Sequence, residues 1–114
     1  MPQFTRTFEY RLPRFVTDFH VFVQPDGHTA VPSDGRCTDI SEEGLGARLR
    51  MSLEVEAKVH LIFTAPGATA SVRIPARVVS AADGSYGFEF LFANPKERNY
   101  VKDYISRLSS PGTR

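Results

Sequence analysis

The chain is expected to fold as an all-β domain with one terminal helix: a six-stranded antiparallel β-barrel followed by a C-terminal α-helix. Three observations lead there. About six short segments alternate apolar and polar residues, as half-buried strands do. Turn-forming residues separate them at short, regular intervals. The final segment then changes to helical spacing. Closure into a barrel follows, because it removes the exposed edges that so many short strands would otherwise present.

Residues 1–14 mix Phe4, Phe8 and Tyr10 with Arg6, Arg11 and Arg14 without periodicity, and Pro13 blocks a regular helix. They read as an irregular N-terminal arm carrying arginines. Residues 15–108 make up the barrel and helix, and 109–114 a fraying tail.

From Phe15 the first strand places Phe19, Val21 and Val23 on one face. Pro25-Asp26-Gly27 is a turn. Thr29 to Val31 begins a second strand that Pro32-Ser33-Asp34-Gly35 interrupts with another turn. Arg36 to Ser41 is extended and ends in the loop Glu42-Glu43-Gly44. Gly46 to Arg50 follows, with Ala47 and Leu49 inward. Lys58 to Thr64 turns Val59, Leu61 and Phe63 inward, and Ala65-Pro66-Gly67 reverses the chain. Ser71 to Ser80 sets Val72, Ile74, Ala76 and Val78 against Arg73, Pro75, Arg77 and Val79. Pro75 lacks an N–H, so a bulge or an edge is expected there. Ala82-Asp83-Gly84-Ser85 is a hairpin signal, and Tyr86 to Phe92 is the last strand. Asn94 as N-cap, Pro95 at the first helical position and Glu97 at capping-box spacing start the helix. Tyr100, Val101, Tyr104, Ile105 and Leu108 form its apolar stripe, which is expected to pack on the barrel.

The 114 residues suffice for one domain with one core. Hydrophobic content of 41% and charged content of 24% suit a soluble globular protein. No apolar run approaches a membrane span, and Met1-Pro2-Gln3-Phe4-Thr5-Arg6 lacks the apolar core of a signal peptide. A cytoplasmic location without membrane insertion is the default expectation. The single cysteine, Cys37, excludes an internal disulfide and reads as a small buried residue. A net charge of +1, from 14 basic and 13 acidic residues, argues against genomic nucleic acid as a partner. The short cluster Arg6, Arg11 and Arg14 instead suits a ligand carrying a couple of phosphates.

The densest chemistry lies in Asp39-Ile40-Ser41-Glu42-Glu43-Gly44. Asp39 and Ser41 stand at strand spacing, which puts a carboxylate and a hydroxyl on one face. Gly44 permits a tight turn or a close approach to a ligand. Arg11 and Arg14, on a separate segment, can close over that face. Such a site fits a small ligand that donates to a carboxylate and accepts from guanidinium groups.

Other chemistries find little support. His20, His28 and His60 are scattered and there is one Cys, so no metal-ligand spacing exists. Ser41 has no nucleophile-elbow context, and no phosphate loop or dinucleotide fingerprint is present. Tyr86-Gly87-Phe88-Glu89-Phe90 superficially matches the aromatic strand of RNA-recognition domains, but the leading basic residue is absent and the element order is wrong. Glu42 and Glu43 point apart and read as a solvated loop tip. An enzyme is not expected, nor a cofactor.

On these residues the chain resembles the PilZ domain family. Two motifs mark that family's ligand site, an Arg-x-x-x-Arg tether and a later [Asp/Asn]-x-Ser-x-x-Gly, and the second is complete as Asp39, Ser41 and Gly44. Val59-His60-Leu61, Ile74-Pro75-Ala76-Arg77-Val78-Val79 and Tyr86-Gly87-Phe88-Glu89-Phe90 look like the family's later strands, and the resemblance runs from about residue 10 to 108. It implies a six-stranded barrel with a helix at one end and binding of cyclic di-GMP, a bacterial second messenger. Arginine can grip guanine O6 and N7, Asp39 can accept from N1 and N2, and phosphate can be reached by arginine and by the Ser41 hydroxyl. With Arg14 as the second tether arginine, the first position is Tyr10, and Arg11 lies one residue out of register. Tyr10 is then a stacking candidate and Arg11 a substitute cation.

The resemblance implies a single-domain receptor in which ligand binding orders the arm and creates a surface for a downstream protein partner. The alternative is a degenerate PilZ-like interaction module that binds protein and no cyclic di-GMP. It draws on Tyr10 in the tether and on the apolar helix stripe.

Overall fold

The computed structural model describes residues 13–27 and 32–109. Six antiparallel strands close into a barrel: β1 (Phe15–Pro25), β2 (Ser33–Ile40), β3 (Gly44–Leu49), β4 (Lys58–Phe63), β5 (Val72–Ala82) and β6 (Ser85–Phe90). The order around the wall is β1-β2-β3-β6-β5-β4, and β4 pairs back onto β1 through Phe22↔Ile62 to Pro25↔Val59. One helix, α1 (Pro95–Ser109), follows.

Alternation fills the interior. Val21, Val23, Cys37, Ile40, Leu45, Val59, Leu61, Ile74, Ala76 and Val78 are wholly buried, and Phe19, Ala47, Leu49, Phe63 and Phe88 nearly so. These are the inward positions that strand periodicity predicts, with one informative exception at Ile40, developed below. The helix lays Val101, Tyr104 and Ile105 onto the barrel, so the middle of its apolar stripe is buried in its own domain. Tyr104 meets Phe19 edge-on at 5.7 Å, and Tyr100 meets Phe63 at 6.0 Å. The Tyr100 hydroxyl donates to Ala70 O and accepts from Ala65 N–H, which satisfies a polar tip at an apolar seam. At the helix start Asn94 Oδ1 accepts the Glu97 N–H at 3.1 Å, and Glu97 Oε1 accepts the Ala93 N–H at 2.8 Å.

The structure differs from the expected elements at Ser33 to Gly35 and at the β5 bulge. Pro32-Ser33-Asp34-Gly35 is not a turn: Ser33 to Gly35 are strand residues paired with β1. Glycine is favoured at position 35 because a Cβ would lie 2.9 Å from the Arg48 backbone O, as well as 2.2 Å from Leu49 Cδ2, across the β2–β3 ladder. The expected start at Thr29 to Val31 lies outside the described residues. β5 carries its bulge between Val78 and Ser80, not at Pro75. Pro75 O accepts the Leu91 N–H at 2.8 Å, so its nitrogen also faces β6, beyond that strand's end at Phe90, and the missing donor leaves the β4 ladder intact. The Asp83-Gly84 turn, with φ of 51° and 82°, is the hairpin the sequence signals.

Candidate functional site

A bulge in β2 sets up the site. Cys37 pairs with Ala47 and Asp39 with Gly46, so Thr38 and Asp39 together oppose one residue of β3. Strict alternation from Cys37 would turn Asp39 inward and Ile40 outward. The extra residue reverses that: Asp39 faces the outer wall and Ile40 becomes core. A second bulge, in β5, turns Val79 and Ser80 outward together.

These two bulges flank a single row across four strands. Asp39 pairs with Gly46, Gly46 with Gly87, and Gly87 with Ser80. At the usual strand spacing the row spans about 14 Å. Its middle carries no side chains: a Cβ on Gly46 would lie 2.2 Å from Asp39 Oδ1, and one on Gly87 2.5 Å from Ser80 Oγ. The outer wall between the two polar ends is therefore bare backbone. Over it lies an open cavity of about 330 Å³, rimmed by Arg14, Thr38 and Asp39 on one side and by Ser80, Ala81 and Ala82 on the other.

Arg14 enters from the residue before β1. Its Nε donates to Asp39 Oδ2 at 2.7 Å, and both side chains remain partly exposed. Thr38 Oγ1 donates to Asp39 Oδ1 at 3.3 Å. The pair uses Arg14's Nε and leaves its terminal nitrogens available among the described residues. On its other flank Arg14 lines a smaller cavity of about 130 Å³ with Glu43, Arg77, Val79, Phe88 and Glu89. Arg77 bonds Glu56 Oε1 at 2.8 Å and also Glu89 Oε1. Those carboxylates, Glu89 first, raise the Arg77 guanidinium above its ordinary value.

The remaining motif residues sit differently. Ser41 is fully buried and shares no face with Asp39, because β2 ends at Ile40 and the chain turns. Its hydroxyl accepts the Glu43 N–H at 3.2 Å and reaches Gly44 O at 3.4 Å, and its backbone N–H donates to Gly44 O at 2.8 Å. Gly44 is buried, and a Cβ there would lie 2.0 Å from Phe88 O. Its close approach is to the β6 backbone. Tyr10 and Arg11 lie outside the described residues. Sequence reading missed Gly46, Gly87 and Ser80, since only the strand register brings them into one row.

Cys37 lies beneath the bulge, its Sγ donating to Asp39 O at 3.3 Å. Burial, helped by the Asp39 charge, pushes the thiol up to about 12, so it is no nucleophile at neutral pH. Among the described residues no group of three or more His, Cys, Asp or Glu could hold a metal ion, and no helix is long and apolar enough to cross a membrane.

The PilZ domain family matches the chain over residues 5–107. No curated protein matches it. Among solved structures the chain is similar to the PilZ domain of CeSA from a cellulose-synthesizing bacterium, at 19% identity and a TM-score of 0.66, covering 84% of this chain and 94% of that one. It is also similar to the PilZ domain of YcgR from Escherichia coli, solved with c-di-GMP, at 17% identity and a TM-score of 0.69, covering 88% and 91%. A third likeness is to the inhibitor of motility MotI/DgrA of Bacillus subtilis, at 19% identity and a TM-score of 0.64, covering 94% of this chain and 53% of that one. At these identities the likeness establishes a shared fold.

Proposed function

The chain belongs to the PilZ domain family, and from that premise we propose that it is a cyclic di-GMP receptor that couples binding of this second messenger to a partner protein. The observation that carries the proposal is the Arg14–Asp39 ion pair at the rim of the bare Gly46–Gly87 wall. The similar YcgR domain was solved with c-di-GMP, which supports the ligand class.

In this reading Arg14 donates from its terminal nitrogens to guanine O6 and N7, while Asp39 accepts from N1 and N2. Each carboxylate oxygen has two acceptor sites, so Asp39 holds Arg14 and the base together. Gly46 and Gly87 admit a flat ring against the backbone. Ser80 supplies a hydroxyl at the far end of the row. Arg11 reaches a phosphate and Tyr10 stacks on a base, from the segment preceding Pro13. Ser41 and Gly44 are positioning residues that hold the β2–β3 turn and so the bulge that aims Asp39. The protein acts by binding and not by catalysis, in the cytoplasm where a diffusible nucleotide messenger is made. Ligand draws residues 1–14 across the wall, and the covered surface is what the partner recognises.

The interaction-module alternative rests on Tyr10 alone among sequence features, since the middle of the helix stripe is buried. Calorimetric titration of the folded protein with cyclic di-GMP, with GTP as control, separates the two. Saturable heat at micromolar affinity for the cyclic dinucleotide alone is the expected result. No heat at high ligand concentration from folded protein would overturn the receptor reading in favour of the alternative.

A further inference from the structure

A second cavity, of about 340 Å³, opens on the outer wall toward the other end of β2 and β3, and its lining is mostly charged: His20, Asp34, Arg36, Arg48 and Arg50, over Gly35 and Leu49. Register explains the cluster. His20, Arg36 and Arg48 lie in one rung across β1, β2 and β3. Arg50 follows the end of β3 and also lines the cavity. We propose that this cavity is a phosphoryl-binding site, separate from the Arg14–Asp39 row.

The cavity gathers guanidinium groups whose charge the neighbouring carboxylates only partly neutralise. Arg48 donates from Nη1 to Ser85 Oγ at 2.7 Å and from Nη2 to Asp83 O at 3.5 Å. Both acceptors are neutral, and its charge meets no carboxylate among the described residues. Arg50 has no hydrogen-bond or ion-pair partner among the described residues. Arg36 bonds Asp18 Oδ1 through Nε at 2.5 Å, and its terminal nitrogens stay open. His20 Nε2 lies 2.9 Å from Asp34 Oδ1. Three guanidinium groups thus face the carboxylates of Asp18 and Asp34, a formal excess of one positive charge, or two with His20 protonated. Ser85 and the Asp83-Gly84 turn fix the Arg48 fork without neutralising it, which preorganises donors at little entropic cost. Guanidinium groups that line one polar cavity match a phosphoryl group, with its two negative charges and several acceptor oxygens, better than a single carboxylate.

The ligand's phosphate can come from a free phosphorylated metabolite or from a phosphorylated side chain. Both share the chemistry recognised here. The experiment follows the backbone and arginine side-chain N–H signals of the labelled protein during titration with pyrophosphate, at constant ionic strength. Saturable shifts at Gly35, Arg36, Arg48 and Arg50 are expected. They should weaken at least about tenfold in Arg48→Ala/Arg50→Ala, from the loss of charge-assisted bonds. They should persist in Arg14→Ala, which removes the other site and keeps the two proposals distinguishable. A phosphoserine peptide binding more tightly than pyrophosphate would assign the site to a phosphorylated protein, and the reverse to a free metabolite. Non-saturating shifts shared with Arg73 and Arg98 would mean general charge screening and overturn the proposal. An unphosphorylated polyglutamate peptide binding as tightly as pyrophosphate would overturn the phosphoryl assignment.

Discussion

Gly44 and Gly46 lie two residues apart on β3, yet replacing each with alanine should give opposite outcomes. At Gly44 the new Cβ would lie 2.0 Å from Phe88 O, with Phe88 C at 3.1 Å and Glu89 Cα at 3.3 Å, all backbone of β6. The strands would have to separate within a closed barrel, an overpacking cost of about 3 kcal/mol. For a domain of this size that lowers the melting temperature by roughly 12–15 °C. At Gly46 the Cβ would meet Asp39 Oδ1 at 2.2 Å, the free end of a side chain that can rotate away. The Arg14–Asp39 pair is partly exposed and worth at most about 1 kcal/mol to the fold. Alanine's smaller unfolded-state entropy offsets part of that, by about 0.5 kcal/mol. Gly46→Ala should therefore melt within a few degrees of the parent. It should bind cyclic di-GMP roughly tenfold to a hundredfold more weakly, because Asp39 no longer aims Arg14 and the base. Thermal denaturation and calorimetric titration of both variants decide it. Undiminished affinity in Gly46→Ala would refute the site, and a Gly44→Ala variant as stable as the parent would refute the packing argument.

Arg14→Ala should abolish measurable cyclic di-GMP binding while shifting denaturation by no more than about 1 kcal/mol, since the lost pair is partly exposed. Cys37 should resist alkylation in the native state at pH 8 and react rapidly once urea unfolds the protein, as followed by mass spectrometry. Its thiol is raised to about 12 in the fold from an ordinary 9.0, so the unfolded state loses its proton first. Stability from this group should be fully present below pH 9 and fall as pH rises toward 12, which denaturation across that range will show. Asn94→Ala should cost about 1 kcal/mol through the lost cap on α1, with ligand affinity unchanged, read by the same two assays.

The strands and helix were legible because their residues obey simple periods. Phe19-Val21-Val23, Val59-Leu61-Phe63 and Ile74-Ala76-Val78 each alternate without interruption, and Asn94-Pro95-Glu97 announces a helix start. What escaped were the places where period two breaks. The bulge at Thr38-Asp39 sends Asp39 outward, and the end of β2 at Ile40 lets the chain turn and bury Ser41, which alternation alone would place on the face of Asp39. Gly35 looked like a turn residue, but its role is set by Leu49 on a strand far along the chain. The motif identified Asp39, and Arg14 stood out as a cation. The wall between Asp39 and Ser80 needed the pairing of β3 with β6, a long-range fact that no local window contains.

The most direct test of the central claim is amide chemical-shift mapping of the labelled protein titrated with cyclic di-GMP. The account predicts saturable shifts concentrated at Arg14, Thr38, Asp39, Gly46, Ala47, Gly87 and Ser80, the row and its rim. A spectrum of folded protein that does not change, or shifts confined to other parts of the barrel, would contradict it.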